Sequence, residues 1–498
     1  MKRKVLGVLF TAMCLCAVPS AAYAEAQEAE TTEAAGEAAD EPEAGAETVT
    51  ALSDSLYDFQ VKIWDKVYQF PMYYQDFAAD WTLGKNEDPE MGVGTNSYGS
   101  ISFYKGDDRV SVDVINLGIN QLPLNQCLVA GIDIDASYDF DVARFFTKWL
   151  ADMAADQRPD GSIGHVVPTL YVGSGSAAWD DAAAICPWQI YLTYGDKEIL
   201  RQQFDCMKKY IGFITNSTKD PYLWTGGEHY EDWLGLDAPV GSYKGSSRAD
   251  FIASAFYAYS TSLVVKAGRV LGEDISEYER LYQGIVDTFR KTFTDYRTQT
   301  AHVLAVHFGL AEDPQKTADA MAEMIKACGS KLQTGFVGTP YLLHVLSSYG
   351  HTELAYTLLL RTEYPSWLYP VTKGATTVWE HWDGIMENGD FWSTDMNSFN
   401  HYAYGAVADW VYEAAAGIQT VEDAPGFARV KIAPQPDSRL DWLEASIETR
   451  KGTVRSLWKQ EEGRIRYEIT TPSPAEIVIA GKTMEVEAGD YIFYSEIA

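Results

Sequence analysis

The sequence predicts a multidomain protein: a toroid of paired α-helices flanked by a small N-terminal β-rich domain and a C-terminal β-sandwich. Two observations carry this reading. The hydrophobic period changes from about two to about 3.6 near Tyr138, and returns to about two after Ala424-Pro425-Gly426. Between those points about ten helical patterns follow one another, joined by loops rich in Trp, Gly and Asp, as expected of stacked helical hairpins. At 498 residues the chain also exceeds one ordinary core, so two or three domains are expected.

The chain opens with Lys2, Arg3 and Lys4, an apolar run over residues 5–18, and the small-x-small triplet Ala22-Tyr23-Ala24. This pattern predicts a signal peptide over residues 1–24, cleaved near Ala24, and therefore a secreted protein. Cys14 and Cys16 fall inside that peptide without a lipobox, and no other segment reaches ~18 uninterrupted apolar residues, so neither a lipid anchor nor a membrane span is expected. Residues 25–52 read as an acidic, disordered linker, because Glu25 to Thr50 holds nine acids and no base. A formal net charge of −32 argues against nucleic acid and anionic membranes as partners, since both require Lys/Arg surfaces. Cys127, Cys186, Cys206 and Cys328 are scattered and lack C-x-x-C spacing. They are expected to be small buried residues rather than metal ligands or disulfides, and nothing points to a metal or organic cofactor.

Residues 53–135 form the expected β-rich domain. Its clearest signal is a hairpin, with alternating strands over 99–104 and 109–114 around Lys105-Gly106-Asp107-Asp108. The helical domain is placed at 136–420. Phe140, Ala143, Phe146, Trp149, Leu150 and Met153 make 139–157 a strong amphipathic helix. Further helices are expected at 180–194, 197–215, 248–271, 276–292, 301–310, 314–328, 339–349, 352–361 and 398–415. In the terminal sandwich, 421–498, strands are expected at 464–469, 476–479 and 490–494 around the turn Thr471-Pro472-Ser473-Pro474.

Aromatic residues make up 13% of the chain, with 14 Trp and 31 Tyr, and indole faces beside carboxylates suit stacking on sugar rings. Three loops concentrate that chemistry. In the first, Glu380 lies between Trp379 and Trp382, where a low dielectric raises a carboxyl pKa and suits acid or base work; a surface Glu on a Trp-rich loop is the plainer alternative. In GSAAWDDA, Trp179 precedes Asp180 and Asp181, either of which also suits a helix N-cap. The third, GGEHYEDWLGLD, carries Glu228, His229, Glu231, Asp232, Trp233 and Asp237. His401 opens the last helical pattern, as either a structural or a ligand-binding residue.

Over roughly 340 residues, from about Tyr138 to Ala480, the chain resembles the family 78 α-L-rhamnosidases. The strings that carry the resemblance are FDVARFFTKWLADM, QRPDGSIGHVVP, GSAAWDDA, EDWL, LQTGFVGTPYLL, YPSWLYPVTKGATTVWEHWDG, SFNHYAYGAV and APGFARVKIAPQP. The resemblance implies an (α/α)6 barrel followed by a β-sandwich, and an inverting hydrolase that removes terminal α-L-rhamnose from oligosaccharides or glycosides. In that chemistry an acid protonates the leaving oxygen while a base, roughly 6.5–9.5 Å away, activates water. The resemblance makes Glu380, in W-E-x-W, the general base. It makes Trp179, Trp233 and Trp382 the walls of the sugar pocket, and sets Asp181, Asp232 and His401 near the sugar hydroxyls.

One departure stands out. The family carries its general-acid Glu in a motif like D-C-P-Q-R-D-E-R-x-G-W-T-G-D just before the FDV helix. Here that stretch reads INLGINQLPLNQCLVAGIDIDAS, without Glu, Arg or Trp. Together with about ten helices where a full toroid needs twelve, this implies an (α/α)6-like barrel short of its first hairpin and its acid. Loss of a general acid costs about 10²–10⁴-fold in rate. Three readings follow: a hydrolase with an acid recruited from Asp232 or Glu228, a pseudoenzyme that binds rhamnose-containing glycans, and a truncated product doing neither.

Overall fold

The computed structural model describes eight strands between Phe59 and Ile134 and residues 143–496, apart from 168, 170–172, 394–396 and 462. The expected signal peptide, the acidic linker and Cys127 lie outside the described residues. One compact unit ends at Phe140 and another begins at Asp141.

In the first unit, β1 (Phe59–Ile63) pairs with β2 (Lys66–Phe70), and β4 (Gly92–Val93) pairs with β7 (Leu122–Pro123). A four-stranded antiparallel sheet has the order β3-β5-β6-β8, from Thr82–Leu83, Ser97–Lys105, Asp108–Asn116 and Leu128–Ile134. Lys105 stands opposite Asp108, the register set by the predicted hairpin. The stretch over 115–137, where the resembled family carries its acid, thus contributes to β6, β7 and β8 in this chain.

The second unit begins with helices in two layers. They are α1 (Ala143–Asp156), α2 (Ala182–Tyr194), α3 (Lys197–Ser217), α4 (Ala249–Leu271), α5 (Ser276–Thr292), α6 (Gln299–His307), α7 (Pro314–Ala327), α8 (Thr339–Ser348), α9 (Thr352–Leu359) and the short α10 (Leu368–Thr372). A composite segment completes the set: a 3-10 turn Ala403–Ala406, α11 (Val407–Trp410) and a π turn Val411–Ala415. The ten patterns expected from sequence are all present, and α10 is an addition. The helices alternate in character. α4 and α6 are buried nearly all round, whereas α5 buries only Ile285, Val286 and Phe289 and turns Glu and Arg outward. An all-round apolar helix has to be enclosed, while an amphipathic one coats it. Accordingly α2, α4, α6, α8 and the composite segment pack in sequence as an inner layer, with α1, α3, α5, α7 and α9 outside. Five hairpins are present among the described residues.

Local chemistry sets the ends. Asp196, Thr298 and Asp313 cap α3, α6 and α7 by accepting from Glu198, Ala301 and Lys316 N–H groups at 2.9–3.0 Å. Left-handed Gly195 and Gly272 end α2 and α4. The last helix begins later than its sequence pattern suggests. Ser398 and His401 spend backbone groups on Glu380 and Val378 (Glu380 N–H to Ser398 O, 2.9 Å; His401 N–H to Val378 O, 2.8 Å), so residues 398–401 run as a partner to 378–380. His401 therefore lies before the helix and does not open it.

The C-terminal sandwich has two four-stranded sheets, in orders β15-β14-β10-β9 and β11-β12-β13-β16. The first comprises β9 (Ile418–Thr420), β10 (Val430–Ile432), β14 (Ala475–Ile479) and β15 (Lys482–Val486). The second comprises β11 (Trp442–Thr449), β12 (Gly452–Glu461), β13 (Arg464–Thr471) and β16 (Gly489–Glu496). Burial alternates along β13, with Ile465, Tyr467 and Ile469 inward. The sandwich is bonded to the toroid: Trp458 Nε1–H donates to Ala415 O (2.9 Å) and Ser456 Oγ to Ala416 O (2.6 Å).

Of the described cysteines, Cys206 is buried as expected, while Cys186 and Cys328 are half-buried; none forms a disulfide. No helix among the described residues is long and apolar enough to cross a membrane. Phe289→Ala, which empties a fully buried site under α5, should cost about 3–5 kcal/mol in urea unfolding, against less than about 0.5 kcal/mol for Glu277→Ala on the outer face.

Candidate active site

The loops that precede the inner helices converge, and hydrogen bonds show how. Ala177 N–H donates to His229 Nδ1 (3.1 Å) and Tyr230 N–H to Ser176 Oγ (3.1 Å), joining the loop before α2 to the one before α4. Phe336 N–H donates to Trp233 O (2.9 Å) and Leu236 N–H to Gln333 O (3.0 Å), joining the latter to the loop before α8. Gly335 permits that approach, since a Cβ there would stand 2.2 Å from the Trp233 carbonyl. Phe336 then stacks on His401 at 4.9 Å, reaching the loop before the composite helix.

Asp232 is the clasp of this assembly. Its carboxylate accepts from Val337 and Gly338 N–H groups (2.9 and 3.2 Å) on Oδ1, and from Gly335 N–H (2.8 Å) and the Thr300 hydroxyl on Oδ2. Four donors fill its acceptor sites, and the side chain is 1% exposed. Its lone pairs are thus committed to partners inside the protein.

The paired aspartates behave similarly. Asp180 bonds His165 Nδ1 (2.9 Å) and Gly175 N–H. Asp181 stands at the N-cap position of α2 but does not cap it. It accepts from Ala178 N–H (2.7 Å) and from the Ser260 hydroxyl on α4. Burial pushes its carboxyl up to about 7. It is fully enclosed and holds the loop from within.

What these carboxylates support is aromatic. Trp179 and Trp233 are half-buried, and Tyr230 lies between them at 4.8 and 5.6 Å. The series continues through Tyr243 (5.3 Å from Trp233) to Trp392 (5.7 Å) and His381 (3.7 Å), adjacent to Glu380. Ala178, Glu231 and Leu234, which flank the two tryptophans, all have positive φ (73°, 60° and 58°). Non-glycine residues rarely adopt this conformation, and it persists only where surrounding bonds over-determine it. Tyr230 sits inside a motif readable in the sequence, whereas Tyr243 and Trp392 carry no local signal; only the fold brings them alongside.

Glu380 is 3% exposed, and its Oε2 accepts from Ser398 N–H at 3.0 Å. Burial raises its carboxyl above the ordinary 4.5. Trp382 is placed differently from Trp179 and Trp233. It is 3% exposed, stacks on Tyr404 at 3.9 Å and meets Trp367 edge-on at 5.2 Å, backing the Glu380 loop from the core side. His401 accepts from Ala403 N–H on Nδ1 (3.3 Å), and burial lowers its pKa to about 4, so the ring is neutral near pH 7. Glu228 is exposed, and Glu231 pairs with Lys244 at 3.3 Å.

One group among the described residues is close enough to share a cation: His344 on α8 with Asp409 and Glu413. The imidazole lies between the carboxylates, Nε2 3.1 Å from Asp409 and Nδ1 3.7 Å from Glu413. Opposite ring nitrogens facing separate carboxylates describe an ion-pair relay rather than a single coordination sphere.

A helical toroid with a carboxylate and an aromatic rim at one end, followed by a β-sandwich, is a glycosidase architecture. The six-hairpin glycosidase domain of bacterial α-L-rhamnosidases matches residues 132–415, and the bacterial α-L-rhamnosidase C-terminal domain matches 417–490. The chain belongs to the bacterial α-L-rhamnosidase family. It is 36% identical over 337 residues to an α-L-rhamnosidase of Streptomyces avermitilis, and 35% identical over 356 residues to one of Formosa agariphila. These alignments cover 66% and 69% of this chain but 32% and 38% of the relatives, so the chain spans about a third of their length. The crystal structure of the Streptomyces avermitilis α-L-rhamnosidase complexed with L-rhamnose superposes with a TM-score of 0.67 at 32% identity, covering 72% of this chain and 36% of that one. The enzyme from Aspergillus terreus gives 0.67 at 30% identity, covering 71% and 43%.

Two outcomes follow from the enclosed carboxylates. Asp232→Ala strands three buried N–H groups and should cost about 3 kcal/mol or more, read as a large fall in melting temperature. Asp181 has a folded pKa of about 7 against an ordinary 3.8, so it favours folding fully only below the lower value, and that contribution is lost as pH rises through the upper one. Asp181→Asn should therefore flatten the pH dependence of unfolding free energy across this window.

Proposed function

We propose that this chain binds terminal α-L-rhamnose in the rim walled by Trp179, Tyr230 and Trp233, and hydrolyses α-L-rhamnosides with inversion, Glu380 acting as general base. The observation that carries the reading is Glu380 itself: a buried carboxylate with a raised pKa, held by Ser398, in a domain that matches the family. The L-rhamnose complex of the Streptomyces avermitilis relative supports the choice of sugar. Asp181 and Asp232 act here as positioning residues that hold the tryptophan loops. We place the toroid from about 136 and the sandwich from β9 (Ile418–Thr420) onward, three residues earlier than the 421 expected from the sequence, and read the protein as exported.

The missing acid shapes the activity. No Glu occurs over 115–137, Asp232 is committed to four donors, and Glu228 is exposed. Catalysis by Glu380 alone favours leaving groups that depart without protonation. On this reading an aryl rhamnoside is turned over, while alkyl rhamnosides are bound and cleaved about 10²–10⁴-fold more slowly than by an enzyme with its acid in place.

The test is p-nitrophenyl α-L-rhamnoside with the native protein and Glu380→Gln. The variant should lose at least about 10²-fold in kcat/KM with unchanged thermal unfolding; equal rates would overturn the assignment. A base works deprotonated, so kcat/KM should fall on acidification through a pKa above 4.5. Absence of turnover, with rhamnose binding retained in calorimetry, would favour the glycan-binding reading.

A further inference from the structure

Beside the tryptophan wall stands a dyad that the general base does not use. His165 lies in the loop between α1 and α2, where its N–H donates to Gly173 O (3.2 Å) and Gly164 pairs with Ser174. Its Nδ1 stands 2.9 Å from Oδ1 of Asp180, whose other oxygen accepts from Gly175 N–H. Asp180 is fully buried, so a carboxylate that solvent does not reach backs the imidazole. With both Asp180 oxygens accepting, the ring proton sits on Nδ1, and Nε2 is the nitrogen left to gain and lose one. The His165 side chain is 8% exposed; Nε2 reaches the surface and carries no hydrogen bond among the described residues.

The surroundings direct that nitrogen's chemistry to the rim. The ring meets Tyr230 edge-on at 5.1 Å, and Tyr230 lies between Trp179 and Trp233. Its anchor, Asp180, directly follows Trp179. Gly173 keeps Nε2 clear, because a Cβ there would stand 3.2 Å from it. Glu380 stands at the far end of the same aromatic series, beyond Trp392 and next to His381. An inverting hydrolase needs its two proton-handling groups on opposite sides of the sugar. A carboxylate behind Nδ1 orients the ring and stabilises the imidazolium. As a partner for Asp180 alone an asparagine would serve; the second nitrogen is what a histidine adds.

We propose that His165 is the general acid of this chain, with Asp180 as the positioning residue behind it. The inference rests on rhamnose at the rim and on Glu380 as base. Nε2–H gives its proton to the glycosidic oxygen as the bond from that oxygen to the anomeric carbon breaks. A water oxygen bonds to the same carbon while Glu380 takes one of its protons. The alcohol leaves neutral, and His165 is left neutral with its Nδ1–H on Asp180. Glu380 then returns its proton to solvent and Nε2 takes one up, so the net reaction is hydrolysis. Donation from His165 offsets part of the penalty that falls on Glu380 acting alone, and the penalty is met in full only when Nε2 is removed.

The experiment compares p-nitrophenyl and phenyl α-L-rhamnosides as substrates of the full chain and of His165→Asn. The asparagine amide nitrogen takes about the place of Nδ1, so the bond to Asp180 is kept and Nε2 alone is lost. On the phenyl substrate kcat/KM should fall about 10²-fold, and on p-nitrophenyl several-fold at most, because p-nitrophenolate departs with little protonation. Equal losses on the two substrates would overturn His165 as the acid. The native chain supplies a second measurement that needs no substitution. Its kcat/KM should fall less than about tenfold from p-nitrophenyl to phenyl, and a fall of about 10²-fold or more would also overturn the acid. Glu380→Gln should slow both substrates. If it slows neither while the His165 difference persists, the base assignment fails and the acid stands; if Glu380 governs both rates and the His165 difference is absent, the acid alone fails.

Discussion

The carboxylate of Asp232 accepts from three backbone N–H groups and a hydroxyl, and through them joins the loop before α4 to the start of α6 and the loop before α8. Everything at the rim depends on that closure. Trp233 is displayed because its neighbour points inward, and Gly335 and Phe336 approach because the carboxylate draws their loop in. Desolvating an acid is costly, and hydrogen bonds from four donors offset part of that cost. The result is a rigid frame on which half-buried aromatics can face a ligand without collapsing into the core.

The same economy recurs at Asp180 and Asp181, where two adjacent carboxylates point into the protein and leave Trp179 outside. In both loops, residues in strained backbone conformations flank the tryptophan, so the aim of the ring is set largely by the bonds of its neighbours. Polar residues do the holding and apolar residues do the presenting, an inversion of the usual division between core and surface.

Much of this was legible in the sequence, and the failures have physical causes. Hairpin order, helix positions and the hairpin around residues 105–108 follow from periodicity and turn chemistry, which act locally. Glu380 stood out because two indoles flank it. The direction of a side chain is not local, however. Asp232 and Trp382 enter the reading through the family resemblance, and what they touch is set by the fold: one accepts from N–H groups about a hundred positions downstream and the other stacks on Tyr404. Tyr243 and Trp392 were invisible for the converse reason: ordinary loop residues become part of the rim only when two distant loops meet. The late start of the last helix has a similar origin, because backbone pairing with 378–380 outcompeted the helical propensity of residues 398–401.

The two bonds from Trp458 and Ser456 to the carbonyls of Ala415 and Ala416 have a bearing on the toroid as a whole. An array of stacked hairpins behaves much like a solenoid, in which each unit leans on its neighbours and the terminal unit is the first to fray. The hairpin that ends this array carries the Glu380 loop at one end and those two carbonyls at the other. The sandwich therefore stands where a capping repeat would stand, holding down the unit whose fraying would release the base.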